Sequence, residues 1–143
     1  MNYFSKEELI KFEKDGYVIV HNLFSESELL EAEKTIKEFS EKKIEGWEIG
    51  KEMAYYETNL QNNLRVLTRV EKTIEYHDSI SKLTNSKKLT ACLNDLMGEE
   101  CILFKDKINY KHPGGTGWAA HQDIQARWDD FADYFMNALI TID

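Results

Sequence analysis

Residues 105–128 read KDKINYKHPGGTGWAAHQDIQARW, and this stretch decides the fold. From Cys101 to Lys111 the sequence settles into alternating apolar and polar residues beyond Phe104, the period-2 pattern of a strand. His112–Gly117 (HPGGTG) then gathers the only proline and three of the seven glycines into a turn-rich loop. Trp118–Ile124 resumes as a second expected strand. Residues two apart on a strand face the same way, so His121 and Asp123 are expected to reach one metal ion. A neutral imidazole and a carboxylate are two members of the two-histidine, one-carboxylate triad, which leaves iron(II) with open positions. By the same parity Gln125 and Arg127 could touch a substrate, whereas Gln122 points away. Lys105, Lys107 and Asn109 share one face of the preceding strand. Each has a plainer reading: a surface His/Asp pair, solvated lysines, a surface guanidinium at Arg127.

Outward from this stretch, Asn137–Ile142 (NALITI) is a further expected strand, so residues 99–143 form a β-rich region. Residues 1–98 read as helix-rich with short strands, and no linker or repeat divides the two. Ser5 and Glu8 have capping-box spacing before Leu9, Ile10 and Phe12, and Gly16 is a natural stop, which predicts a helix over 6–14. Tyr17–Val20 (YVIV) is expected as a short buried strand. Ser25 and Glu28 repeat the box and open a second helix to about Phe39. Residues 41–52 read as a loop. Met53–Glu57 and Leu64–Val70 read as strands around the polar turn Asn59–Asn63. Ile74–Leu83 begins another helix, and Ser86 caps one running to Gly98.

The chain's 143 residues suffice for one hydrophobic core. With 26 acidic against 18 basic residues the net charge is −8, which argues against a nucleic-acid binder. Cys92 and Cys101 lie in or beside apolar runs and read as free thiols packed as small hydrophobes. No run approaches the roughly 20 apolar residues that cross a bilayer. The N-terminus lacks a basic region followed by an apolar one. The expectation is a soluble cytoplasmic protein with a small-molecule partner and no membrane contact. His21, His77 and His112 have no partner at ligand spacing and read as surface or loop histidines.

Residues 105–128, together with NALITID at 137–143 and FEKDGYVIVHNLFSESELLEA at 12–32, resemble the phytanoyl-CoA dioxygenase family, and in motif style its ectoine-hydroxylase-like members. The resemblance covers both ends of the chain in order, with a less distinctive middle. It implies an α+β chain whose β-rich core is a double-stranded β-helix, or cupin-like jelly-roll, behind N-terminal helices. It implies iron(II), 2-oxoglutarate and O2, and hydroxylation of an unactivated C–H bond in a small organic molecule. Carried over by position, His121 and Asp123 become metal ligands and catalytic residues. Asn109, Lys105 and Trp118 become candidates for holding 2-oxoglutarate, although relatives favour glutamine at the position of Lys105. As a residue alone, Trp118 reads equally as core. Retention of a carboxylate at Asp123 favours hydroxylation over halogenation.

The resemblance also requires a second histidine ligand and a cation for the distal carboxylate of 2-oxoglutarate. No histidine follows His121, and the only later arginine, Arg127, is too near. His112 is a poor substitute, lying in the preceding glycine loop. The expectation is therefore a chain truncated before the second half of the barrel and inactive by itself. The rival expectation is a non-catalytic binding or interaction module that keeps the fold without the site.

Overall fold

The protein is described by a computed structural model covering residues 3–41 and 51–142. It is an α+β chain with a three-stranded antiparallel sheet. Two helices lead: α1 (Lys6–Asp15) and α2 (Glu26–Glu41). Both begin in capping boxes, as the sequence predicts. Ser5 Oγ accepts from Glu8 N at 3.3 Å, and the Glu8 carboxylate accepts from Ser5 N at 2.8 Å. Ser25 and Glu28 repeat this pairing at 3.4 and 2.7 Å. Each cap contributes about 1 kcal/mol by satisfying amides that the first helical turn leaves free. Gly16 ends α1 in the left-handed conformation at φ 77°, with its N–H on the Phe12 carbonyl.

Strands β1 (Met53–Thr58) and β2 (Arg65–Glu71) form the expected hairpin. Tyr55 pairs with Arg69 but Tyr56 pairs with Leu67, so Thr68 is an extra residue, a β-bulge. The bulge shifts the phase of β2, which lets Leu67 and Val70, three apart, both face the core with Phe39 and Ala54. Helices α3 (Asp78–Thr84) and α4 (Lys87–Met97) follow, α4 capped by Ser86 and ended by left-handed Gly98. Strand β3 (Lys107–Asn109) completes the sheet against β2. A first cluster around Phe24, Ala32, Ile80 and Leu83 joins the second through Ile108, which packs against both. Helix α2 contributes to both clusters, so the helical layer covers one sheet face. The opposite face carries Tyr55, Arg69 and Asn109 side by side in register.

The structure corrects several expectations. Tyr17–Val20 is not a strand, and Tyr17 and Ile19 are exposed, because β-prone residues need a partner ladder and none lies beside them among the described residues. The helix expected from Ile74 starts only at Asp78, since the amides of Tyr76 and His77 turn back onto the Thr73 carbonyl. Of Cys101–Lys111, only residues 107–109 form a strand, with Tyr110 N adding one bond to the Thr68 carbonyl at 2.8 Å. Strand β2 ends at Glu71 and Lys72 turns away at φ 64°, leaving residues 101–106 no edge to join. Asp106 there accepts instead from Thr73 N and Oγ1, at 2.7 and 2.5 Å. Trp118–Ile124 and Asn137–Ile142 are likewise not strands. Asp123–Ala126 and Trp128–Asp130 are short 3-10 turns, which satisfy their amides locally without a neighbouring strand. Both cysteines are free, as expected. The expected loop at 41–52 lies largely outside the described residues. No helix among the described residues is long and apolar enough to cross a membrane.

Candidate metal-binding site and the adjoining cleft

The glycine loop is seated on the hairpin turn. Buried Asn59 donates from Nδ2 to the Pro113 carbonyl at 2.7 Å, and Leu60 N donates to the Gly114 carbonyl at 2.8 Å. Glu57 accepts from Thr116 N at 3.0 Å and also from Thr116 Oγ1. The Thr116 hydroxyl, then its amide, holds the Glu57 carboxyl below its ordinary value. His112 is clamped too, its Nε2 2.9 Å from the Leu67 carbonyl. His77 sits half-buried, 2.8 Å from Glu52. Both lie in loops, as the sequence suggests, but each has a fixed partner.

From this anchored loop the chain runs through Trp118 to His121. The side chains of His121 and Asp123 meet, with Nε2 3.1 Å from Asp123 Oδ1. The two side chains come together across the entry to a 3-10 turn rather than along a strand. His121 Nδ1 lies 2.7 Å from the Ala119 carbonyl. A carbonyl only accepts, so Nδ1 carries a proton and Nε2 is the ring atom that faces the carboxylate. Asn137 Nδ2 donates to the other oxygen, Oδ2, at 2.8 Å. Partial burial opposes ionisation of Asp123, but the Asn137 hydrogen bond, the Lys107 charge and His121 outweigh it. The carboxyl titrates below its ordinary value.

Two acceptor atoms facing at 3.1 Å need a positive charge between them, either a second ring proton or a metal ion. The donor set fits a divalent ion. Nitrogen and oxygen ligands about 2.1 Å from one ion and at right angles to each other lie about 3 Å apart. Among the described residues no third histidine, cysteine or carboxylate joins the pair to complete a ligand set.

Beside the pair, on the open sheet face, lies a cleft of about 250 Å³. Tyr55, Arg69, Asn109, Lys111, Thr116 and Trp118 line it. The Trp118 ring lies between the two features, with its centroid 5.5 Å from the Arg69 guanidinium carbon and 6.5 Å from the His121 ring.

The sequence model of the phytanoyl-CoA dioxygenase family matches residues 12–143. The chain belongs to that family. It is 34% identical over 145 residues to the 2-aminoethylphosphonate dioxygenase of the uncultured bacterium HF130_AEPn_1, covering 100% of this chain and 53% of that protein. It is 35% identical over 121 residues to the methylphosphonate hydroxylase of Gimesia maris, covering 83% and 44%. A probable alpha-ketoglutarate-dependent hypophosphite dioxygenase of Stutzerimonas stutzeri is 31% identical over 108 residues, covering 76% and 37%. The chain thus spans about half the length, or less, of these curated relatives. No solved structure matches it.

Within this member of the phytanoyl-CoA dioxygenase family, the structure brings Asn109 and Trp118 to one cleft. Trp118 is 73% exposed among the described residues. Lys105 turns instead to buried Glu71 at 3.0 Å. Gln125 is exposed on the 3-10 turn, and Arg127, at φ 65°, pairs with Asp130 at 2.9 Å. The shared strand face that would have aimed these two at a substrate does not form. Sequence reading missed Arg69, Tyr55 and Asn137. Arg69 and Tyr55 lie more than forty residues before the motif, and only the β1–β2–β3 register sets them beside Asn109. The sole hint for Asn137 was a polar residue opening an apolar run.

Proposed function

We propose that this chain carries part of the active site of a non-haem iron(II)- and 2-oxoglutarate-dependent dioxygenase that hydroxylates a small organic molecule. In that reading its sheet belongs to a double-stranded β-helix. The observation that carries the reading is the 3.1 Å approach of His121 Nε2 to Asp123 Oδ1, with both side chains held from behind. Iron(II) with 2-oxoglutarate supplies the oxygen-activating chemistry, in which 2-oxoglutarate becomes succinate and CO2. The chain's own residues supply position. The Ala119 carbonyl fixes the His121 tautomer, and Asn137 orients Asp123 so that Oδ1 stays available. Asn109 offers an amide to a carboxylate of 2-oxoglutarate from the cleft lining, and the Trp118 ring stands between the cleft and the His121 ligand. The third metal ligand and the cation for the distal carboxylate of 2-oxoglutarate are not assigned to any described residue.

The relatives named for 2-aminoethylphosphonate, methylphosphonate and hypophosphite support a small phosphorus oxyanion as the substrate class. The test is succinate formation from 2-oxoglutarate by the full-length protein with iron(II) and either phosphonate. Turnover abolished by both His121→Ala and Asp123→Ala supports the reading. Iron-independent turnover, or turnover surviving both substitutions, sinks it. Ligand binding without any turnover would favour the non-catalytic module.

A further inference from the structure

Arg69 is a cation set into the open sheet face with donors to spare. Its side chain is 24% exposed, and its Nε is buried without a hydrogen-bond partner. Nε approaches Glu71 Oε1 at 3.1 Å, but its N–H is not aimed at that oxygen. The guanidinium lies over aromatic rings instead, its carbon 4.0 Å from the Tyr55 ring centroid and 5.5 Å from that of Trp118. Such contacts use none of its five N–H groups. Nearby charges do not cancel it. Buried Glu71 is shared between Arg69 and Lys105, two cations for one carboxylate. Glu57 lines the same cleft as an ionised carboxylate, accepting from Thr116 N and Oγ1, and the Lys111 charge offsets it. In a chain of net charge −8 this is a local positive excess.

We infer that the Arg69 guanidinium is the recognition group for the phosphonate oxygens of a small substrate. This rests on the proposed function for the substrate's chemistry, and it adds the residue that selects it. A planar guanidinium matches two oxygens of a phosphonate bidentately. At about 250 Å³ the cleft falls below the usual range for drug-sized ligands and fits a ligand of a few heavy atoms. The Trp118 ring lies between Arg69 and His121, so a substrate gripped by its phosphonate at Arg69 sits one aromatic ring away from the metal pair.

The experiment is calorimetric titration of methylphosphonate, and separately of 2-oxoglutarate, into the full-length protein without iron. Omitting the metal lets the result read Arg69 independently of the ligand assignment, which the succinate assay tests. Arg69→Ala is expected to weaken methylphosphonate binding about ten- to a hundredfold and leave 2-oxoglutarate binding unchanged. Arg69→Lys, which keeps the charge but not the fork, falls between. Because Arg69→Ala strands the Glu71 carboxylate, the paired variant Arg69→Gln/Glu71→Gln keeps the test valid if the single variant fails to fold. Unchanged methylphosphonate affinity in a folded variant overturns the assignment. So does loss of 2-oxoglutarate binding in its place, or no methylphosphonate binding by the unsubstituted protein.

Discussion

Asn137 donates from Nδ2 to Asp123 Oδ2 at 2.8 Å across fourteen residues of chain, while Asp123 Oδ1 is left to His121. One carboxylate oxygen is thus held by an amide and the other is free to act. A carboxylate that pivots cannot keep two ligand atoms at a set separation, so this bond orients the site rather than merely closing a loop. Asn137→Ala is expected to weaken divalent-metal binding about ten- to a hundredfold, read by anaerobic iron(II) titration of the full-length protein. The side chain is exposed, so the thermal midpoint should barely move. A large loss of stability with unchanged metal affinity would instead make Asn137 structural.

Gly114 tests how the loop before the site is anchored. It has φ 77°, and an added Cβ would lie 2.6 Å from Asn59 Oδ1 and 2.7 Å from Gln61 Cγ. Gly114→Ala therefore meets both backbone strain and a clash with the hairpin turn, costing about 1–3 kcal/mol in chemical denaturation. The expected accompaniment is a looser loop and altered fluorescence from Trp118. Gly117, with open space around it, should accept alanine at far smaller cost.

Tyr110 ties the sheet to the helical layer. Its hydroxyl donates to the Ile36 carbonyl at 2.8 Å, and burial pushes its titration well above the ordinary value of 10, so it stays a neutral donor at any working pH. Tyr110→Phe keeps the ring and loses the bond. The expected loss is about 1 kcal/mol in urea unfolding, with no change between pH 6 and 9.

Glu28 governs part of the acid response. Its hydrogen bond from Lys88, then those from Ser25, hold its carboxyl down at about 2, against an ordinary 4.5. A carboxyl depressed in the folded state stabilises fully above 4.5, and that contribution is lost as pH falls toward 2. The thermal midpoint of Glu28→Gln should therefore lie below that of the parent near neutrality and converge on it as pH falls through this window. Because Glu28 is solvent-exposed, salt should shrink the gap.

The local devices were legible in the chain because their determinants sit within a few residues. Ser5 with Glu8, Ser25 with Glu28, Ser86, and the stops at Gly16 and Gly98 each satisfy helix-end groups within one turn, and all formed as read. The hairpin around Asn59–Asn63 was equally readable, since turn residues flanked by apolar runs specify it. Tyr17–Val20, Trp118–Ile124 and Asn137–Ile142 misled for one shared reason. Alternation and β-propensity report a side chain's suitability for a sheet, but a ladder also requires a neighbouring edge, and none is present among the described residues.

The candidate site divides along the same line. That His121 and Asp123 are a candidate ligand pair was written in their spacing and in the family resemblance around them. How they meet was not: a 3-10 turn, the Ala119 carbonyl and Asn137 place them, and a strand would have oriented Gln125 and Arg127 differently. Arg69 was invisible from the chain, one of many charges in an acidic protein. The Thr68 bulge and the pairing of Arg69 with both Tyr55 and Asn109 turn it into a cleft residue. Local chemistry is encoded by short spacings because hydrogen bonds and dihedral preferences act over a few residues. Which distant side chains share a cleft depends on strand register, and only tertiary packing of the whole sheet against its helices settles register.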